Sequence, residues 1–132
     1  MSHIHAVIWL DHREAKVIGF SADSVEKSIV RHHGWHRQVH HRSGSVGAGH
    51  SAEDAKFFDE IVLAAGDSPE VLLVGPGQAK VAFRHHVDSH RADFARRVVG
   101  IESLDHPSEG ELLAFARKYF VKIDQMLGLP RA

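Results

Sequence analysis

The chain has no cysteine among its 132 residues and no long apolar run. Without thiols, disulfides and thiolate chemistry are excluded, so a reducing compartment is the expected setting. A membrane helix needs roughly 18 apolar residues, which no stretch supplies. The apolar opening reaches Asp11 too early for a secretory signal. We therefore expect a soluble, cytoplasmic protein with no membrane partner.

An excess of charge of one sign is also lacking, because the net charge is only −1 at neutral pH. The distribution is uneven, however, since no acidic residue occurs from Lys27 through Ala52. That segment holds six of the chain's 13 histidines and four permanent cations: Lys27, Arg31, Arg37 and Arg42. Adjacent phosphates would favour protonated imidazole. Two interpretations stay open, an RNA-binding segment and a solvated polar loop.

Hydrophobic patterning predicts eight elements in the order β-β-β-α-β-α-β-α. The predicted strands span 6–10, 15–20, 25–32, 71–74 and 96–103, and the predicted helices span 51–65, 78–90 and 108–127. Three antiparallel strands followed by two right-handed crossovers give a mixed five-stranded sheet with helices on its faces. The expected fold is α/β and ribonuclease-H-like, in a single domain over residues 1–132.

Turn and capping residues support these boundaries. Asp11 is a favoured first residue of the tight turn between strands one and two. Ser51 is a natural N-cap for the first helix, and Gly66 is suited to end it. Ser108 and Glu111 have the spacing of a capping box for the last helix.

The segment 34–50 shows no strand or helix periodicity and predicts a flexible, basic, histidine-rich loop. Three of its glycines fall within six positions just before His50, and glycine permits close approach to a partner. Arginines would bind phosphates with salt-dependent affinity, and Trp35 would stack on a base or pack against the sheet edge. The RNA-binding candidates are Arg31, Trp35, Arg37, His40, His41 and Arg42.

The order of four passages resembles the middle, catalytic domain of archaeal and eukaryotic peptide-chain release factors and its small bacterial relatives. The passages are the strand-turn-strand around "DHREAKV", the long loop entering a helix, "LLVGPGQAKVAF", and "RVVGIESLDHPSEGEL". The resemblance covers roughly Ile4 to Phe120. It implies a role in translation, with the ribosome or transfer RNA as partner.

The signature of that family is a Gly-Gly-Gln tripeptide, usually followed by Ser-Ala, before the first helix. The matching stretch here reads Ala48-Gly49-His50-Ser51-Ala52. The resemblance implies that Gly49 and His50 occupy the catalytic position, which in the family assists water in attacking the peptidyl-tRNA ester. Because histidine replaces glutamine, we expect ribosome binding or ribosome rescue rather than hydrolysis, with placement by the basic segment or by an accessory protein.

Histidine spacing supports an alternative, a divalent-metal-binding protein. His36 and His40 are four residues apart, as are His86 and His90, and neutral imidazole is a common zinc ligand. No third ligand is evident for either pair. For the second pair, ordinary surface positions on an amphipathic helix are the simpler interpretation. We expect no cofactor, with zinc as the exception to test.

A metal-dependent nuclease is the other enzyme class that this fold suggests. Asp11 ends the first strand and Asp105 follows the last, while Asp54 and Asp59 are the nearest carboxylates in the first helix. Two-metal catalysis requires several convergent carboxylates. A turn-forming role for Asp11 is the competing interpretation.

Overall fold

A computed structural model describes residues 4–34 and 52–127. Five strands form one sheet in the order β3-β2-β1-β4-β5. The strands are β1 His5–Leu10, β2 Glu14–Phe20, β3 Val25–Arg31, β4 Glu70–Gly75 and β5 Val98–Ser103. The helices are α1 Ala52–Ala65, α2 Ala79–His90, α3 Ala92–Ala95 and α4 Glu109–Leu127. The predicted α/β class and element order are confirmed, apart from the short α3, which patterning did not predict.

The strand directions define two edges of the sheet. β1 pairs antiparallel with β2 and parallel with β4, while β2–β3 is antiparallel and β4–β5 is parallel. Strands β1, β3, β4 and β5 therefore all end at the same edge, which we call the carboxyl edge. The opposite edge, where His5 and Glu70 begin β1 and β4 in register, we call the amino edge.

The predicted turn after β1 and the predicted end of α1 are both found in the structure. The Asp11 carboxylate accepts hydrogen bonds from the backbone N–H groups of Arg13 at 2.8 Å and Glu14 at 3.0 Å. Gly66 follows α1 with φ of +66°, a left-handed conformation in which glycine carries no Cβ penalty. The Ser51 cap lies outside the described residues.

The sheet is covered on both faces, so β1 is buried along both. Alternate side chains of a strand point to opposite faces. One face packs under α1 and α2, with Ile8, Val17, Phe58, Ile61, Leu73 and Phe83 at its centre. The other packs under α4, with Trp9, Phe20, Leu72, Val74, Leu112 and Phe120.

Helix α4 lies over the second face through residues spaced four apart. Its start is closed by the predicted capping box: the Ser108 N–H donates to Glu111 Oε1 at 2.9 Å, and the Glu111 N–H to Ser108 Oγ at 3.1 Å. The buried series is Leu112, Ala116, Phe120 and then Asp124. Ile123, one residue before Asp124, is only half-buried. No helix of the described chain has the length and hydropathy to cross a membrane.

Candidate functional site

The base of segment 35–51 is closed by a buried histidine. His32 follows β3, and its Nε2 lies 2.6 Å from Oδ1 of Asp54 in the first turn of α1. The backbone N–H of Gly34 donates to Nδ1 of the same ring at 3.1 Å. Because Nδ1 accepts, the ring proton is on Nε2 and is donated to the carboxylate. The chain therefore leaves and re-enters the described fold at one place.

The closure is a packed part of the fold and not a surface contact. The His32 side chain is only 2% exposed, and its ring centroid lies 5.0 Å from that of Phe57. Both ring nitrogens have partners, as a buried polar group requires. Gly34 is buried beside Glu53, and a Cβ there would overlap the Glu53 carboxylate. We predicted Gly34 within the flexible loop, whereas its amide anchors the loop's base.

Cationic and imidazole side chains lie exposed around this closure at the carboxyl edge. Arg31 ends β3 and is 69% exposed, with Nη1 3.6 Å from Oε1 of Glu14. His33 is 71% exposed. An exposed ion pair of that length contributes little stability. The remaining RNA-binding and catalytic candidates and the first histidine pair fall outside the described chain: Trp35, His36, Arg37, His40, His41, Arg42, Gly49 and His50.

The neighbouring loop after β5 is fixed by Trp9. The Trp9 Nε1–H is shared between the carbonyl oxygens of Asp105 at 2.6 Å and Leu104 at 3.1 Å. The His106 ring packs 5.0 Å from Trp9 and its Nδ1 lies 2.9 Å from the Asp105 carboxylate. In the described part of the chain, neither Asp11 nor Asp105 belongs to a three-ligand group. A nuclease site is not favoured.

His86 is not the surface residue we expected on α2. It is buried, with its ring 5.3 Å from Phe58 and its Nε2 2.9 Å from Oδ1 of Asp59 on α1. Arg91 Nη2 lies 2.9 Å from the other Asp59 oxygen. Burial would raise the pKa of Asp59, but the hydrogen bond from His86 and the charges of Arg91 and His86 outweigh it and hold the pKa below its ordinary value.

The predicted metal pair His86 and His90 is brought together without a third ligand. Their ring centroids are 5.0 Å apart. Among the residues that the structure describes, these two belong to no group of three converging donors. Asp59, the carboxylate that His86 contacts, is also paired with Arg91. His36 and His40 lie outside the described residues.

Sequence reasoning missed a third cluster, at the amino edge. His5 Nε2 lies 2.9 Å from Glu70 Oε1, and one donor atom each from His5, Glu70 and Asp124 lies within 4.8 Å of the others. The three residues are far apart in sequence, so no spacing pattern reveals them. The one available signal was an aspartate four residues after Phe120 in the apolar stripe of α4.

Known proteins similar to this chain are found by comparing structures and not by comparing sequences. No family model and no curated protein matches the chain. Pelota from Archaeoglobus fulgidus is similar over 97% of this chain and 34% of its own, with a TM-score of 0.64 and 15% identity. Pelota from Thermoplasma acidophilum is similar over 86% of this chain and 32% of its own, with a TM-score of 0.56 and 22% identity. The archaeal translation termination factor aRF1 is similar over 94% of this chain and 39% of its own, with a TM-score of 0.55 and 13% identity.

These similarities define the fold of the chain as release-factor-like. The identities are too low to carry activity from those proteins to this one. The chain spans between 32% and 39% of their lengths, so whatever their remaining parts do is not transferred.

Proposed function

We propose that this protein is a translation-associated factor that binds the ribosome or transfer RNA through the segment between β3 and α1. The observation that carries the proposal is the His32–Asp54 closure, which holds both ends of an acid-free, arginine- and histidine-bearing segment at one point. The release-factor-like fold supports the same role, since aRF1 is a translation termination factor. Fixing the ends of a binding segment lowers the entropy lost on binding.

The charge of the segment supports RNA as the ligand. Arg31 stands exposed beside the closure, and Arg37 and Arg42 follow it without an intervening acidic residue. Each arginine that neutralises a phosphate releases counterions, so affinity falls steeply with salt.

The proposal is binding rather than ester hydrolysis, with ribosome rescue as the biological setting. The resemblance to the release-factor loop places Ala48-Gly49-His50 where Gly-Gly-Gln is expected. An imidazole differs from an amide in shape, in hydrogen-bonding pattern and in titration. A catalytic loop built around an amide side chain would therefore lose its water-positioning geometry here.

Cosedimentation with ribosomes over a salt series tests the proposal. We expect the wild-type protein to pellet at low salt. Arg37→Ala/Arg42→Ala should bind more weakly and reduce the salt slope by about 1.5–2. The matched control is Arg84→Ala/Arg96→Ala. Arg84 pairs with Asp88 on α2, and Arg96, just after α3, pairs with Asp93. Both arginines lie away from the carboxyl edge.

Two results would count against binding through this segment. One is wild-type pelleting no better than that of an inert protein, and the other is equal loss in the control variant. Ribosomes loaded with peptidyl-tRNA give a second readout from the same samples. We expect single-turnover peptide release to stay at background for wild type and for His50→Ala alike.

A further inference from the structure

We propose that His5, Glu70 and Asp124 bind one divalent transition-metal ion at the amino edge of the sheet. The inference rests on their geometry and burial and is independent of the proposed role in translation. It also differs from the histidine pairs that sequence spacing suggested, because these three residues come from three separate elements.

The fold brings the three side chains to one point. β1 and β4 run parallel with His5 opposite Glu70 in the register, and His5 Nε2 is already 2.9 Å from Glu70 Oε1. Asp124, near the end of α4, supplies the third donor, with all three within 4.8 Å of one another. Metal–ligand distances of about 2.0–2.2 Å place neighbouring ligand atoms roughly 3–4 Å apart. Small side-chain rotations therefore suffice to close the site around one ion.

The burial of Asp124 is the second, independent observation. It is only 7% exposed and occupies the buried position that follows Leu112, Ala116 and Phe120 on α4. The mutual repulsion of two carboxylates held close together at a largely buried position costs free energy. A dication shared with Glu70 would offset that cost.

The imidazole is held in place for ligation by aromatic packing. The His5 ring centroid lies 4.2 Å from that of Phe120 and 5.5 Å from that of Phe20. This packing restricts ring rotation and keeps Nε2 on the side of Glu70. Phe120 lies one helical turn before Asp124, so the same helix fixes the ring and supplies a carboxylate ligand.

The donor set selects the chemical class of the ion. One imidazole nitrogen with two carboxylates suits Zn²⁺, Mn²⁺ or Fe²⁺, whereas Ca²⁺ and Mg²⁺ prefer oxygen ligands alone. The bound ion would join β1, β4 and α4, with water completing the coordination. Its expected role is to fix the end of α4 to the sheet.

The test must separate this site from background binding, because the chain contains 13 histidines. We choose Zn²⁺ as the probe and measure its binding by competition with a chromophoric chelator. Asp124→Asn and His5→Gln each remove one proposed ligand. Asp23→Asn, exposed in the turn after β2, and His90→Gln, exposed at the end of α2, are the matched controls.

We expect wild type to bind one Zn²⁺ more tightly than its remaining weaker sites. Asp124→Asn and His5→Gln should each weaken that tight site at least tenfold, while both controls keep it. Thermal unfolding gives a second readout: Zn²⁺ should raise the Tm of wild type and not that of Asp124→Asn. In EDTA, Asp124→Asn should unfold at or above the wild-type temperature, because it removes a buried charge.

The inference is overturned if wild type has no Zn²⁺ site tighter than the others, or if that site survives in both ligand variants. If Asp124→Asn fails to fold in EDTA, the Asp124 side chain is needed for packing and that variant no longer tests metal binding. His5→Gln then decides, and unchanged Zn²⁺ binding by His5→Gln rejects the site.

Discussion

Each of the two edges of the sheet has a histidine–carboxylate contact, and the two contacts differ in kind. At the carboxyl edge, His32 has one donor to Nδ1 and one carboxylate acceptor for Nε2. At the amino edge, among the residues that the structure describes, the imidazole of His5 lies beside the two carboxylates of Glu70 and Asp124. The first set is complete in itself, whereas the second carries a surplus of negative charge. A complete set fixes the backbone, and a surplus of acceptors favours a cation.

The comparison assigns a different role to each edge. The two ends of the described chain that flank segment 35–51 lie at the carboxyl edge, beside the exposed Arg31 and His33. The amino edge brings together the carboxylates of Glu70 and Asp124, which attract a cation and not a phosphate. We therefore propose that the carboxyl edge meets RNA and that the amino edge serves stability.

Removing the complete contact should have the largest effect on the fold. His32→Ala removes the acceptor of the Gly34 N–H and the hydrogen bond from the ring to Asp54, and it opens a cavity beside Phe57. We expect a loss of about 3 kcal/mol in the free energy of unfolding, measured by urea titration.

His33→Ala is the matched control for that substitution. Its side chain is 71% exposed and 3.9 Å from Oε1 of Glu60, so we expect a change within about 0.5 kcal/mol. Equal losses for the two variants would show that the closure does not differ from a surface contact.

A third histidine–aspartate contact sharpens the comparison through its pH dependence. The pKa of Asp59 is lower in the folded protein than in the unfolded chain, so the ionised carboxylate stabilises the fold above the unfolded pKa of about 3.9. That contribution is lost as the pH falls through the folded pKa. We expect Asp59→Asn to flatten the acid side of a Tm–pH profile below about pH 5.

Asp93→Asn is the comparison variant for this profile, since Asp93 is almost fully exposed on α3. Its profile should keep the wild-type slope in acid. A wild-type slope in Asp59→Asn as well would remove Asp59 from the acid-sensitive groups.

Much of the scaffold could be predicted because its determinants are local. Ser108 and Glu111 lie three residues apart and form their capping box within one turn. Asp11 bonds to amides two and three residues ahead, and Gly66 ends α1 by its own backbone freedom. Periodicity identified the strands for the same reason.

The histidine contacts could not be predicted because their partners lie on other elements. His32 and Asp54 are 22 residues apart, and His86 and Asp59 are 27 apart. A histidine in a polar run, such as His86 after His85, has the same sequence appearance whether it faces solvent or a carboxylate on a neighbouring helix. Burial was decided by how α1 and α2 pack together on the sheet.

Photocrosslinking tests most directly which edge meets RNA. A benzophenone amino acid is placed at position 33, exposed at the carboxyl edge, or at position 126, exposed near the end of α4 at the amino edge. Each protein is irradiated with ribosomes carrying transfer RNA. The account predicts crosslinks to RNA from position 33 and background from position 126. Crosslinks from position 126, with none from position 33, would contradict it.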